Sequence, residues 1–169
     1  MESIVVRVTG DNPLTDADTM DRMIAAHLAH GAEYTYTDDL PMGTRVEVIS
    51  VAALRRVHAL AEDPSHTEYM TYYLQQPQAV RAHRYHVEDP QLARPSYRLT
   101  LDTPHDLCLL QLIYQRLSDH GPVFALGDVT RLLDGAPELV AINAQVQPLH
   151  PDGRINTRLR PAVMEARRS

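Results

Sequence analysis

The sequence contains no lysine; all 16 of its basic residues are arginines. A Walker-type phosphate loop needs a lysine, so a mechanism of that kind would have to take it from another chain. An arginine-preferring genome accounts for the exchange without any function. Cysteine is almost as scarce: Cys108 stands alone, which excludes an intramolecular disulfide, and its place in an apolar helical run reads as a buried, inert thiol. Gly-x-Ser-x-Gly and Gly-x-Gly-x-x-Gly are both absent, removing the sequence basis for a nucleophile-elbow hydrolase or a dinucleotide-binding loop. No apolar run reaches the length of a membrane span, and the opening residues lack the basic-then-apolar order of a signal peptide. A cytoplasmic protein without a membrane span is the expectation. The formal charge of −6 disfavours nucleic acid as a general partner, because phosphate backbones want a basic surface.

What is present is organised around two strand-like runs that each deliver an aspartate to a loop. Ile4-Val5-Val6-Arg7-Val8 stops at Thr9-Gly10-Asp11-Asn12-Pro13, and Tyr97-Arg98-Leu99-Thr100-Leu101 stops at Asp102-Thr103-Pro104. Short β-branched runs with polar punctuation suit buried strands, and ligands of α/β sheets sit where such strands end. Two carboxylates meeting at one sheet edge would hold a divalent cation, since hard cations want oxygen ligands and reach substrate phosphates as well.

The remaining pattern alternates helices and strands. Thr15 or Asp16 caps a helix to about residue 30, with Met20, Met23, Ile24, His27 and Leu28 at helical spacing and Gly31 at its end. Residues 32–37 and 45–49 read as strands, the second with Glu47 opposite Val46 and Val48. Ser50 caps a helix over 51–62. A tyrosine-bearing helix is expected over 66–76, a strand with His83 and His86 over 80–87, and a proline-bounded loop over 88–95. Thr103-Pro104-His105-Asp106 reads as a capping-box variant opening a helix to about residue 119, with Leu107, Leu110, Leu112, Ile113 and Leu117 on its inner side. Two short helices follow over 126–133 and 138–143. Beyond residue 146 periodicity gives way to prolines and polar residues, and 147–169 reads as an extended or disordered tail. This order favours an α/β fold with a mostly parallel sheet.

Each candidate residue has an ordinary structural reading beside the functional one. Asp11 can be a turn aspartate bonding its own backbone, and Asp102 can favour a helix dipole. Asp106 reads as a capping residue. Glu47 reads as exposed or as a binding group, and His66, Glu68 and Tyr69 make a polar patch at a helix start. His27/His30 and His83/His86 lack a further ligand at zinc spacing, so they read as solvated surface histidines.

In their order, the motifs resemble the spore-coat polysaccharide cytidylyltransferases, relatives of the enzymes that make CMP-activated acidic sugars. The segments that carry the likeness are Val5-Val6-Arg7-Val8-Thr9-Gly10-Asp11-Asn12-Pro13-Leu14, Val46-Glu47-Val48, Glu68-Tyr69-Met70-Thr71, Leu99-Thr100-Leu101-Asp102-Thr103-Pro104-His105-Asp106-Leu107, and Pro137-Glu138-Leu139 with Ile142-Asn143. Met42, Arg45 and Tyr69 depart from the family pattern.

The resemblance implies a partial nucleotide-diphospho-sugar transferase fold, Rossmann-like, over residues 1–146, with 37–95 as a dimerisation arm on the sugar side. It implies Mg2+ held by Asp11 and Asp102, which also serve as catalytic residues, with CTP and a sugar or sugar acid as substrates. Arg7, Asn12, Glu47, Glu68 and Thr71 fall on the substrate side. The glycine-rich loop that grips base and triphosphate in the family has no counterpart in these residues. The chain is therefore expected to be the acceptor half of a cytidylyltransferase, inactive without a nucleotide-binding half and found as a homodimer or in a complex with that half. A non-catalytic assembly module that kept the fold is the alternative, and a metal-dependent hydrolase using the same aspartates with histidines is a third reading.

Overall fold

The computed structural model describes residues 3–63, 70–76, 79–118, 124–146 and 159. Within them the order is β1 (Ile4–Arg7), α1 (Ala17–Ala29), β2 (Tyr34–Tyr36), β3 (Glu47–Ser50), α2 (Val51–Leu60), α3 (Met70–Leu74), β4 (Ala82–Arg84), α4 (Pro104–Leu117), α5 (Leu126–Asp134) and α6 (Pro137–Val140).

The strands form one sheet in the order β1-β3-β2-β4. The α/β class is as expected, but the sheet is mixed: β3 runs antiparallel to both neighbours, and only β2 and β4 pair in parallel. Apolar alternation records which face a residue takes and carries no sign for strand direction, which the connections decide. The stretch 37–95 contributes β3 and β4 to this same sheet. Residues 97–102, expected as a strand, stay outside it. They run beside the loop before β3 instead, with a parallel bridge between Met42 and Arg98 and bonds from Met42 N to Tyr97 O (2.9 Å) and from Leu99 N to Met42 O (2.7 Å).

Both faces of the sheet are covered, as the alternation along β3 requires. Val48 turns toward α1, where Met23 is fully buried and Ile4, Val6, Met20 and Ile24 pack around it. Ile49 turns the other way, into a cluster with Tyr34, Ala53, Val57, Tyr73 and Leu74 from β2, α2 and α3. A third cluster lies under α4, α5 and α6, with Leu14, Leu40, Leu92 and Leu99 closing it. His27, expected on the surface, is buried against the sheet with Nδ1 2.9 Å from Thr35 Oγ1. His30 and His83 stack with ring centroids 4.0 Å apart.

The caps are those the sequence announces. Asp16 accepts from Thr19 N at 2.8 Å, Ser50 from Ala53 N at 3.1 Å, and Thr103 and Asp106 form a reciprocal capping box with Pro104 in the first turn. Gly31 ends the first helix at φ +55. The inner face of α4 is largely the expected one: Leu110, Ile113 and Leu117 are buried and Leu112 packs half-buried against the core, while Asp106 and Leu109 join the stripe and Leu107 is 45% exposed. The buried stripe begins with a charged residue, so reading apolar residues alone misplaces its start at Leu107. Cys108 falls off that stripe and is exposed, against the expected burial.

Tail residues 147–158 and 160–169 lie outside the described residues. Leu159 forms an antiparallel bridge with Ala61 and packs on the α2–α3 cluster. Among the described residues no helix is long and apolar enough to cross a membrane.

Candidate functional site

β1 and β2 are both antiparallel to β3, so they point the same way, and their carboxyl ends lie at the amino end of β3. A cleft of about 270 Å³ opens there, lined by Arg7, Asn12, Tyr34, Tyr36, Arg45, Glu47, Gln75, Thr100 and Asp102 among others. The position obeys the general rule that α/β sheets bind ligands beyond strand carboxyl ends.

Glu47 is the fixed point of this cleft. Its Oε1 accepts from the Tyr34 hydroxyl at 2.5 Å and its Oε2 from Arg7 at 2.8 Å. Tyr34 has no exposed surface, so one of these bonds is shielded from water and the carboxylate cannot swing away cheaply. Burial and the adjacent Glu47 charge push the Tyr34 hydroxyl well above the usual tyrosine range, and it stays a donor. Tyr36 stacks beside Tyr34 with centroids 5.3 Å apart, as neighbours on one strand face do. Across the cleft, the Nε of Arg45 donates to Leu40 O at 2.9 Å while its NH1 lies 3.8 Å from Asp38. Burial pulls the Arg45 guanidinium below its usual range, opposed by Asp38 and Asp39; it remains a cation at neutral pH.

The two aspartate loops adjoin. Leu101 N donates to Asp11 O at 2.9 Å, which joins the end of the first strand-like run to the end of the second. Asp11 is exposed and is not among the residues that line the cleft, whereas Asp102 is. Asp102 Oδ2 accepts from Arg98 at 2.6 Å, and among the described residues Oδ1 has only a 3.4 Å contact from Thr100 Oγ1. Arg98 also forks onto Asp106, at 2.9 and 3.1 Å. Asp106 is fully buried and accepts further bonds from Thr103 and from Asn143 at 2.8 Å. Burial alone would raise its pKa, but Arg98, Asn143 and Thr103 together hold it well below the usual carboxylate range.

The sequence-derived substrate residues divide accordingly. Arg7, Asn12 and Glu47 come together in the cleft. Thr71 sits half-buried on α3 and is not among the cleft-lining residues; Gln75, one turn on, is. Glu68 lies outside the described residues. Sequence reasoning missed Tyr34, Tyr36 and Gln75 as cleft residues. The two tyrosines, spaced by two on a strand beside a Glu-bearing one, carried the available signal. Among the described residues no group of three or more His, Cys, Asp or Glu could hold a metal ion. Were Asp11 and Asp102 to hold Mg2+, they would supply two carboxylates among the described residues, leaving water and substrate phosphates to complete the shell.

A family model described as cytidylyltransferase matches residues 1–121. The chain is 34% identical over 140 residues to the spore coat polysaccharide biosynthesis protein SpsF of Bacillus subtilis, covering 80% of this chain and 57% of that protein. It is 29% identical over 148 residues to an uncharacterized protein of Methanocaldococcus jannaschii, covering 85% and 58% respectively. A solved cytidylyltransferase from Leptospira borgpetersenii serovar Hardjo-bovis shares the fold with a TM-score of 0.70 at 23% identity, over 88% of this chain and 61% of that one. The chain thus spans less than two thirds of the length of each of these relatives.

Proposed function

This chain belongs to the cytidylyltransferase family, and on that premise we propose that it supplies the acceptor-sugar and metal-binding side of a site that activates a sugar or sugar acid as its CMP derivative for polysaccharide biosynthesis. The supporting observation is the junction of the Asp11 and Asp102 loops at the rim of a polar cleft. In this reading Asp11 and Asp102 hold Mg2+, which when bound neutralises the triphosphate of CTP. The chain's own residues do the positioning. Glu47, anchored on both oxygens, accepts from sugar hydroxyls, Arg45 and Asn12 donate to sugar oxygens, and Gln75 closes one side. An acceptor oxygen so oriented attacks the α-phosphorus of CTP; the bond to the β-phosphate oxygen breaks and pyrophosphate leaves.

Among these 169 residues there is neither a lysine nor a glycine-rich phosphate loop. CMP transfer in this proposal therefore needs a nucleotide-binding half, and the chain, as one copy or as a homodimer, works in complex with it. Incubating the chain with CTP, Mg2+ and candidate sugar acids, alone and with a nucleotide-binding half of a family member, tests this. Product should form only in the mixture and disappear with Asp102→Asn. No product in either arm rules the proposal out.

One observation favours a second reading, a binding or assembly module without chemistry. β1 is an edge strand whose Val5 is 39% exposed, with Val8 just beyond at 47%, and such an edge invites another chain. Light scattering should then show a dimer or larger species, and calorimetry should show no Mg2+-dependent CTP binding. Detectable binding of that kind eliminates the module.

A further inference from the structure

One guanidinium serves two carboxylates at the start of α4, and it divides its donors unequally. Arg98 gives Asp106 a two-point fork and gives Asp102 a single N–H, at 2.6 Å. Its side chain is 11% exposed, and its NH1 rests 3.2 Å from Met42 Sδ in the cleft wall. Two negative charges against one positive leave a net negative charge at this point, so the pairing orients Asp102 without cancelling its attraction for a cation. Asp106 does not depend on Arg98 alone, because Thr103 N, Thr103 Oγ1, Asp102 N and Asn143 also donate to it at 2.8 to 3.2 Å. Among the described residues Asp102 has no comparable support: beyond Arg98 its carboxylate has only the 3.4 Å Thr100 contact.

We propose that Arg98 is a positioning residue for the cation site: it pins Asp102 Oδ2 and presents Oδ1 to the metal, while the Asp106 cage fixes Arg98 itself. The inference rests on the reading of Asp102 as a metal ligand. Partners that orient a ligating carboxylate govern affinity as the ligand does, and losing one commonly weakens metal binding by about 10–100-fold. Lysine cannot reproduce the division, since a single ammonium lacks the planar fork that reaches both carboxylates.

The test uses Mn2+ as the probe, followed by loss of its free electron-paramagnetic-resonance signal on titration into the chain. Arg98→Lys should bind Mn2+ about tenfold more weakly than wild type with an unchanged far-ultraviolet circular-dichroism spectrum. Asp102→Asn should abolish binding. Thr100→Val serves as a second variant that leaves the Asp106 pair intact, and it should weaken binding less than Arg98→Lys does. Should Arg98→Lys match wild type while Asp102→Asn fails to bind, the role given to Arg98 is wrong and the metal reading stands. Should Asp102→Asn bind as wild type does, or wild type bind no Mn2+, the metal reading falls and the role of Arg98 with it.

Discussion

Gly43 and Thr100 touch backbone to backbone: a Cβ built on Gly43 would lie 2.1 Å from Thr100 N, and Gly43 holds φ at +89. This contact seals the loop before β3 against the residues that lead to Asp102, on one wall of the cleft. Gly43→Ala combines left-handed strain with a collision against main chain that cannot rotate away. The expected loss is about 3 kcal/mol or more by urea denaturation. A loss below about 1 kcal/mol would mean the two segments separate easily.

Tyr34→Phe keeps the ring in its cluster and deletes one bond to Glu47. A bond to a charged group that is shielded from water contributes about 1.5–3 kcal/mol, and the variant should lose that much stability in urea melts. If Glu47 holds sugar hydroxyls, Glu47→Gln should raise the acceptor KM in the reconstituted assay with a smaller change in kcat.

Asp106 makes stability pH-dependent with a definite sign. Its carboxyl is held well below the unfolded value of about 3.9, so its contribution is fully present above that value and lost as pH falls toward the folded one. At pH 7, Asp106→Ala should cost about 3–5 kcal/mol, because it strips a buried charge pair and a cap together. The gap between wild type and variant, measured by urea melts, should narrow progressively as the pH is lowered below about 4. A gap independent of pH would show that packing, not charge, is what Asp106 supplies.

Which leucines open the buried stripe of α4 can be checked at two positions. Leu109→Ala should cost about 2–5 kcal/mol and Leu107→Ala less than about 0.5. Native Cys108 should also react with a thiol reagent without denaturant, being exposed one residue before Leu109.

Local chemistry was what the sequence stated openly. Asp16, Ser50 and Thr103 cap the helices they precede, and Gly31 turns where a left-handed residue is wanted. Relations between distant segments were hidden for nameable reasons. The inner stripe of α4 starts on Asp106, whose charge disguises it. The segment at 97–102 has the composition of a sheet strand, yet its partner is the loop at Met42. Glu33 is buried, and only the folded structure shows Arg56 and Arg81 reaching it from two other segments, at 3.0 and 3.7 Å. Of the candidate site, the Asp11 and Asp102 loops were legible as a pair. The Tyr34–Glu47–Arg7 anchor was not, because it depends on β3 lying between β1 and β2, an order no local pattern encodes.

The bridge between Ala61 and Leu159 has a bearing on how the molecule is made. The cluster holding Tyr73 and Leu74 receives a side chain from Leu159, far along the sequence from the helices it packs on. During synthesis that cluster has to wait, its apolar side unfinished, until Leu159 has been added. Ribosome-bound chains halted short of Leu159 should therefore be cut by protease near α2 and α3 sooner than released ones.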